Sequence, residues 1–192
     1  EGVLIPRPET EILVEHILNE IKDIENPVVY DLCSGSGCIG LSISKLHKNA
    51  QVYLVEKSDK ALVYLKENRK ILCGDTKNTE VLQGDILRLR DFDNLPAADV
   101  IVSNPPYIRS DEIPTLQSEV LREPVMALDG GADGLDFYRC IADKWLPHCK
   151  AAAAVECGEN QHKEIANLFS ALNVGFKKDF NDIYRVVCGI VK

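Results

Sequence analysis

The stretch DLCSGSGCIG, residues 31–40, follows Pro-Val-Val-Tyr and runs into Leu-Ser-Ile-Ser-Lys-Leu. An apolar run, a glycine turn and a second apolar segment predict a short buried strand, a tight turn and a helix. Gly35, Gly37 and Gly40 satisfy G-x-G-x-x-G, the dinucleotide fingerprint. The turn by itself leaves its ligand open, because free N–H groups at a helix N-terminus receive any small anionic group.

Working outward, the same alternation repeats. Residues 28–32, 51–56, 79–83, 99–103 and 151–156 read as strands, and 37–48, 59–72, 135–145 and 161–172 as helices, with Ser58 as an N-cap. Pro6 and Pro8 keep the lead-in extended. Residues 9–21 then form a helix with Ile12, Leu13, His16, Ile17 and Ile21 on one face, so 1–25 is a lead-in segment plus helix. Residues 104–133 hold four prolines and a Gly-Gly. A loop of that length in a compact domain is usually functional, and 115–121 is its one helical stretch. Residues 174–180 and 183–191 read as two final strands closing a hairpin. This order predicts an α/β fold. The sheet is Rossmann-like, doubly wound and mostly parallel, with an antiparallel C-terminal edge hairpin, in one domain over 1–192.

Composition narrows the function classes. Hydrophobic residues at 45% and charged residues at 27% suit a globular protein, and no apolar run reaches the roughly 18 residues that span a bilayer. No membrane partner and no signal peptide are expected. Seven cysteines, at 33, 38, 73, 140, 149, 157 and 188, include no C-x-x-C and are an odd number. They read as reduced thiols of a cytoplasmic protein. His16, His47, His148 and His162 do not combine with them at metal-ligand spacing, so no metal is expected. A net charge of −8 argues against gripping a nucleic-acid backbone, and a monomer is the default.

In a doubly wound sheet, ligands bind beyond the carboxyl ends of the strands. Cys33-Ser34-Gly35-Ser36-Gly37 follows the first strand, and Glu56 ends the second. Gly84-Asp85-Ile86 follows the third, Asn104-Pro105-Pro106-Tyr107 the fourth and Cys157-Gly158-Glu159-Asn160 the fifth. Glu56 suits the vicinal hydroxyls of a ribose, and Asp85 an exocyclic amine such as adenine's. A dinucleotide and S-adenosylmethionine both carry these groups.

The segment SNPPYI, 103–108, separates the two. The strand delivers Asn104 to the cleft, and two prolines fix the backbone without offering an N–H. The Asn104 side-chain oxygen and the Pro105 carbonyl can both accept from one planar NH2 group, on which Tyr107 can stack. This is a device for holding an amide or aromatic amine, and it contains no hydride chemistry.

Asp-Leu-x-x-Gly-x-Gly followed by Asn-Pro-Pro-Tyr resembles the S-adenosylmethionine-dependent methyltransferases of planar nitrogens. Those include adenine-N6 and glutamine methyltransferases. LIPRPETEILVE (4–15), SEVLREPVMALDGGADGLDFYR (118–139), VECGENQ (155–161) and GFKKDFNDIYRVV (175–187) resemble the release factor glutamine methyltransferase family, HemK or PrmC, along essentially the whole chain. The resemblance implies methylation of the glutamine in the Gly-Gly-Gln motif of peptide chain release factors. S-adenosyl-L-methionine would be consumed and S-adenosyl-L-homocysteine released. It puts Asp31, Cys33, Ser34, Gly35, Ser36, Gly37, Glu56, Asp85, Ile86 and Asn104 at the cofactor, with Arg7 and Thr10 from the lead-in. Asn104, Pro105, Pro106 and Tyr107 become the catalytic and substrate-binding set. The release factor is the implied partner, with no direct nucleic-acid contact.

Two departures accompany the resemblance. Cys33 stands where the family usually has Gly, so its backbone is expected to avoid positive φ. Family members also carry an N-terminal helical domain before the lead-in, so this chain reads as the catalytic domain. Two rivals stay open at this level: an adenine-N6 methyltransferase acting on DNA or RNA, and a non-catalytic S-adenosylmethionine-binding domain. A nicotinamide reductase leaves Asn104 to Tyr107 unexplained.

Overall fold

The computed structural model describes residues 2–74, 76–88 and 95–192. Five parallel strands form the body of the sheet: β1 (Val28–Leu32), β2 (Gln51–Glu56), β3 (Thr79–Gln83), β4 (Ala98–Ser103) and β5 (Cys149–Glu156). Two more, β6 (Leu172–Lys178) and β7 (Tyr184–Val191), form the closing hairpin. The order is β3-β2-β1-β4-β5-β7-β6, with β7 antiparallel to both neighbours. The chain leaves β1 toward one edge and returns at β4 to build the other. The switch point therefore lies between β1 and β4, where a doubly wound sheet opens its ligand crevice.

Helices cover both faces, so the central strands are apolar on both sides. One face buries Leu13, Ile17 and Ile21 of α1 (Thr10–Ile21) with Ile39, Leu41 and Ile43 of α2 (Cys38–Leu46). Leu62 and Leu65 of α3 (Asp59–Cys73) complete that layer. The other face buries Tyr138 of α4 (Asp136–Cys140) with Ile165 and Phe169 at α5 (His162–Leu168). Ser58 caps α3, its Oγ accepting from the Ala61 N–H at 3.3 Å.

Three predicted helices are shorter or broken. The segment read as one helix over 135–145 is a five-residue α4 that widens into a π turn (Ile141–Trp145) and ends in a 3₁₀ turn (Leu146–His148). Pro147 cannot donate to an α-helical ladder, and the Trp145 indole donates instead to the Ile86 carbonyl at 3.0 Å. The expected helix at 115–121 is replaced by three single 3₁₀ turns, Ile113–Thr115, Val120–Arg122 and Val125–Ala127. The expected helix over 161–172 stops at Leu168, because Leu172 already belongs to β6.

Candidate active site

The turn after β1 is built by local hydrogen bonds. The Ser34 Oγ donates to the Asp31 carbonyl at 2.7 Å, the Ser34 N–H to Val55 at 3.0 Å and the Gly37 N–H to Ser34 at 2.7 Å. Gly37 takes φ 84°, and a Cβ there would collide with the side chains of Leu41 and Leu65. Cys33 departs from expectation: its φ is 59°, in the left-handed region that non-glycine residues enter at a cost of roughly 1–2 kcal/mol. The surrounding hydrogen bonds impose this conformation on Cys33.

Glu56, at the end of β2, is 8% exposed. Its Oε2 accepts from the Gly35 N–H at 2.7 Å and its Oε1 from the Ser58 N–H at 2.6 Å. Burial raises its pKa, partly offset by these N–H donors. Asp85 accepts from the Leu87 N–H at 3.0 Å and pairs with Lys57 at 3.0 Å. Burial works to raise its pKa, but the Lys57 hydrogen bond and charge and the Leu87 N–H more than offset that and hold it low. Beneath the turn, Asp31 Oδ2 accepts from the Gly40 N–H at 2.9 Å, while its buried Oδ1 has no hydrogen-bond partner.

These residues face one cleft, open to solvent on one side. Cys33, Ser34, Gly35, Ser36, Glu56, Asp85, Ile86, Asn104, Pro106 and Thr10 line it. Asp31 and Gly37 lie behind the turn and do not line the cleft, and neither do Pro105 and Tyr107. Arg7 points elsewhere: it pairs with Glu123 at 2.8 Å and borders a separate hollow against α1 and α2. The lead-in reaches the cleft through Val3, Leu4 and Pro6 instead.

The segment after β4 is anchored by residues that sequence reasoning passed over. The Gln161 Nε2 donates to the Tyr107 carbonyl at 2.9 Å and to the Gly134 carbonyl at 3.4 Å, while its Oε1 accepts from the Gly158 N–H at 2.9 Å. Glu156 is 3% exposed; its Oε2 accepts from the Thr10 hydroxyl at 2.7 Å, and the Asn104 side chain, beside it at the end of β4, favours the charged form of the same carboxylate. VECGENQ contained both residues, yet nothing local marked them as partners of Asn104 and Tyr107. Gly134 has φ 75°, and a Cβ there would run into the Tyr107 carbonyl oxygen. Gly134→Ala is expected to lower stability by about 2 kcal/mol or more, read as the urea midpoint, and to displace Tyr107.

Two carboxylates line the cleft, a third lies behind its turn with a free oxygen, and the one Lys or Arg among the described lining residues, Lys57, is paired with Asp85. The Gly35 and Gly37 N–H groups, which a pyrophosphate would need, are already spent on Glu56 and Ser34. This donor set repels a doubly charged pyrophosphate. It fits S-adenosylmethionine, which carries a sulfonium and an ammonium.

Burial pushes the Asp31 carboxyl up to about 7 from 3.8; the Gly40 N–H opposes this, and the Glu56 charge adds to it. A raised folded pKa means that the folded protein holds a proton the unfolded chain has lost. The corresponding stability is full below pH 3.8 and is lost as pH rises through about 7. Asp31→Asn is expected to remove this dependence. Thermal melts without ligand should show the variant gaining about 1–3 kcal/mol on the parent between about pH 5 and 8. Parallel curves over that range would exclude Asp31 as the buried titrating group.

Residues 8–133 match the family described as methyltransferase small domain. The hMettl16 catalytic domain, solved with a MAT2A 3′UTR hairpin, superposes with a TM-score of 0.76 at 13% identity, over 98% of this chain and 71% of that one. A precorrin-6y C5,15-methyltransferase from Geobacter metallireducens gives 0.66 at 12% identity, over 98% and 91%. Fold and site together define a class I S-adenosylmethionine-dependent methyltransferase domain. The release factor glutamine methyltransferase of Clostridium acetobutylicum is 41% identical over 99% of this chain and 68% of its own length. That of Thermodesulfovibrio yellowstonii is 43% identical over 97% and 68%. The chain belongs to the release factor glutamine methyltransferase family. It spans about two thirds of those two relatives and 53% of a third, from Fusobacterium nucleatum, to which it is 35% identical.

Proposed function

We propose that this chain transfers a methyl group from S-adenosylmethionine to the side-chain amide nitrogen of the glutamine in the Gly-Gly-Gln motif of peptide chain release factors. The observation that carries the reading is the position of Asn104, on the wall of the cleft that also presents Glu56 and Asp85. The names of the related proteins support the choice of substrate.

S-adenosylmethionine supplies a methyl group already activated by its positive sulfur. Glu56 takes the ribose hydroxyls, Asp85 the adenine amine, and Asp31 favours a cationic group above the turn. A primary amide nitrogen is a poor nucleophile, because its lone pair is delocalised into the carbonyl. The protein compensates by orientation and electrostatics. Asn104 Oδ1 and the Pro105 carbonyl accept the two N–H bonds of the substrate amide and hold its nitrogen at near-attack distance, on the order of 3 Å. Both are fixed acceptors, so they favour the positive charge that builds on that nitrogen. Tyr107 packs against the amide plane; like Pro105 it lies off the cofactor cleft, so the glutamine is read as approaching beyond Asn104. Burial pushes its phenol up to about 12, helped by the Glu156 charge and opposed by Arg185, so the ring stays neutral. No general base is assigned, since the nitrogen can lose its proton after transfer.

An adenine-N6 enzyme would share Asn104 to Tyr107. The cleft disfavours it: among the described residues the one lining cation, Lys57, is already paired, and Met126 on the rim is apolar and 53% exposed. The deciding experiment is transfer of a labelled methyl group to a purified release factor, with duplex DNA and bulk RNA in parallel. Label is expected on the release factor and is expected to disappear when its Gly-Gly-Gln glutamine is changed. Label on nucleic acid with a silent release factor would overturn the reading.

A further inference from the structure

We infer that Glu156 is a positioning residue for Asn104, holding the amide by its NH2 end so that Oδ1 faces the cleft. The inference deepens the proposed function and rests on its reading of Asn104 as the acceptor for the substrate nitrogen.

The juxtaposition comes from the sheet. Ser103 of β4 pairs with Val155 of β5 in parallel register, so the next residues along, Asn104 and Glu156, emerge side by side at the switch-point end. Glu156 is 3% exposed, and a carboxylate that deep needs partners. It has the Thr10 hydroxyl, donating at 2.7 Å, and the Asn104 side chain. An ionised carboxylate only accepts, so Asn104 must offer it Nδ2–H. An asparagine amide is flat and two-ended: with Nδ2 committed to Glu156, Oδ1 is left for the other side. The flipped amide would present NH2 to the substrate NH2. Donor would face donor, and positive charge on the substrate nitrogen would be opposed. Glu156 selects the productive end of a group that has two. Its negative charge also polarises the Asn104 amide and strengthens Oδ1 as an acceptor. Thr10 is the first residue of α1, 146 positions away in sequence, and it holds Oε2 in place from the lead-in side.

Burial raises the Glu156 pKa above its ordinary value; the Thr10 hydroxyl, the Arg185 charge and Asn104 oppose this, and Glu9 adds to it. On protonation the carboxyl gains a donor, and the selection of the amide end is lost. The turnover rate at saturating cofactor therefore falls on the acid side as Glu156 takes a proton. The other ionisable groups facing Glu156 across these elements are Tyr107, Tyr138, Cys38 and Cys157, all raised by burial and neutral over that range.

A purely structural role, tying α1 to the sheet, is the rival. Two variants separate them: Glu156→Gln keeps shape but supplies a competing donor, and Thr10→Val cuts the tie to α1 while leaving Asn104 its partner. Positioning predicts a kcat about 10- to 100-fold lower in Glu156→Gln, loss of the acid limb and cofactor affinity within about threefold of the parent. Thr10 also lines the cleft, so Thr10→Val is compared at saturating cofactor, with cofactor affinity read alongside; there it should cost less turnover than Glu156→Gln. A tie to α1 alone predicts equal loss of stability in both variants with kcat unchanged, and that result overturns the inference. The Asn104 side-chain NH2 resonances, assigned by their disappearance in Asn104→Asp, give a readout independent of activity. They are expected to titrate with Glu156 in the parent and to be pH-insensitive in Glu156→Gln. Resonances that ignore this substitution sink the inference even if the enzyme is active. A parent protein that labels no glutamine fails the proposed substrate instead, and the resonances still decide the role of Glu156.

Discussion

Asn104→Ala is expected to lower kcat for methyl transfer by about 10²–10³-fold while leaving cofactor affinity within a few fold. The magnitude is that of removing one preorganised polar group from a reacting centre. The substitution deletes the Oδ1 acceptor but leaves the Pro105 carbonyl, so some orientation survives and the loss stops short of complete. It also removes a hydrogen-bond donor to Glu156, a carboxylate 3% exposed, and a modest drop in melting temperature should accompany it. The separation is made by single-turnover kinetics beside calorimetric titration of S-adenosylmethionine. Turnover retained within tenfold would remove Asn104 from the chemistry. Loss of turnover in step with loss of cofactor affinity would reassign it to the cofactor.

Glu56→Ala should do the opposite and weaken S-adenosylmethionine binding by two orders of magnitude or more. Glu56 anchors the Gly35 and Ser58 N–H groups at 2.7 and 2.6 Å in addition to facing the cleft. Without the carboxylate, two backbone donors of a tight turn lose their partner, at about 1–3 kcal/mol each, and the ribose hydroxyls lose their charged acceptor. The unpaired donors cost the free and bound protein alike, so Kd reads the ribose bonds: two hydrogen bonds to a charged acceptor, at about 1.5–3 kcal/mol each, correspond to about 100-fold or more. Glu56→Gln keeps the shape and one acceptor oxygen, and should fall between parent and Ala. Titration calorimetry reads the series directly; a Kd unchanged by Glu56→Ala would show that the cofactor does not lean on the end of β2.

Most of the fold is legible in the sequence because its signals are short-range. β1, β2 and β4 are runs rich in apolar residues, β3 (Thr-Glu-Val-Leu-Gln) is marked more weakly, and the Ser58 cap sits immediately before its helix. Where local preference and tertiary packing compete, legibility fails. Residues 136–148 carry a helical pattern, yet Pro147 and the Trp145 bond to Ile86 divide it. Cys33 has no local reason to take φ 59°; the hydrogen bonds on either side of it require that conformation.

The site divides along the same line. The sequence by itself determined the glycine turn, the carboxylates at the ends of β2 and beyond β3, and Asn-Pro-Pro-Tyr beyond β4, since each lies next to the strand that delivers it. Only the tertiary structure decided what those groups touch. Thr10 meets Glu156 across 146 residues, Gln161 meets Tyr107 across 54, and Arg7 turns from the cleft to Glu123 across 116. These partnerships depend on strand order and on which buried polar atoms must find a mate. Both are properties of the whole sheet, so no local window of sequence contains them.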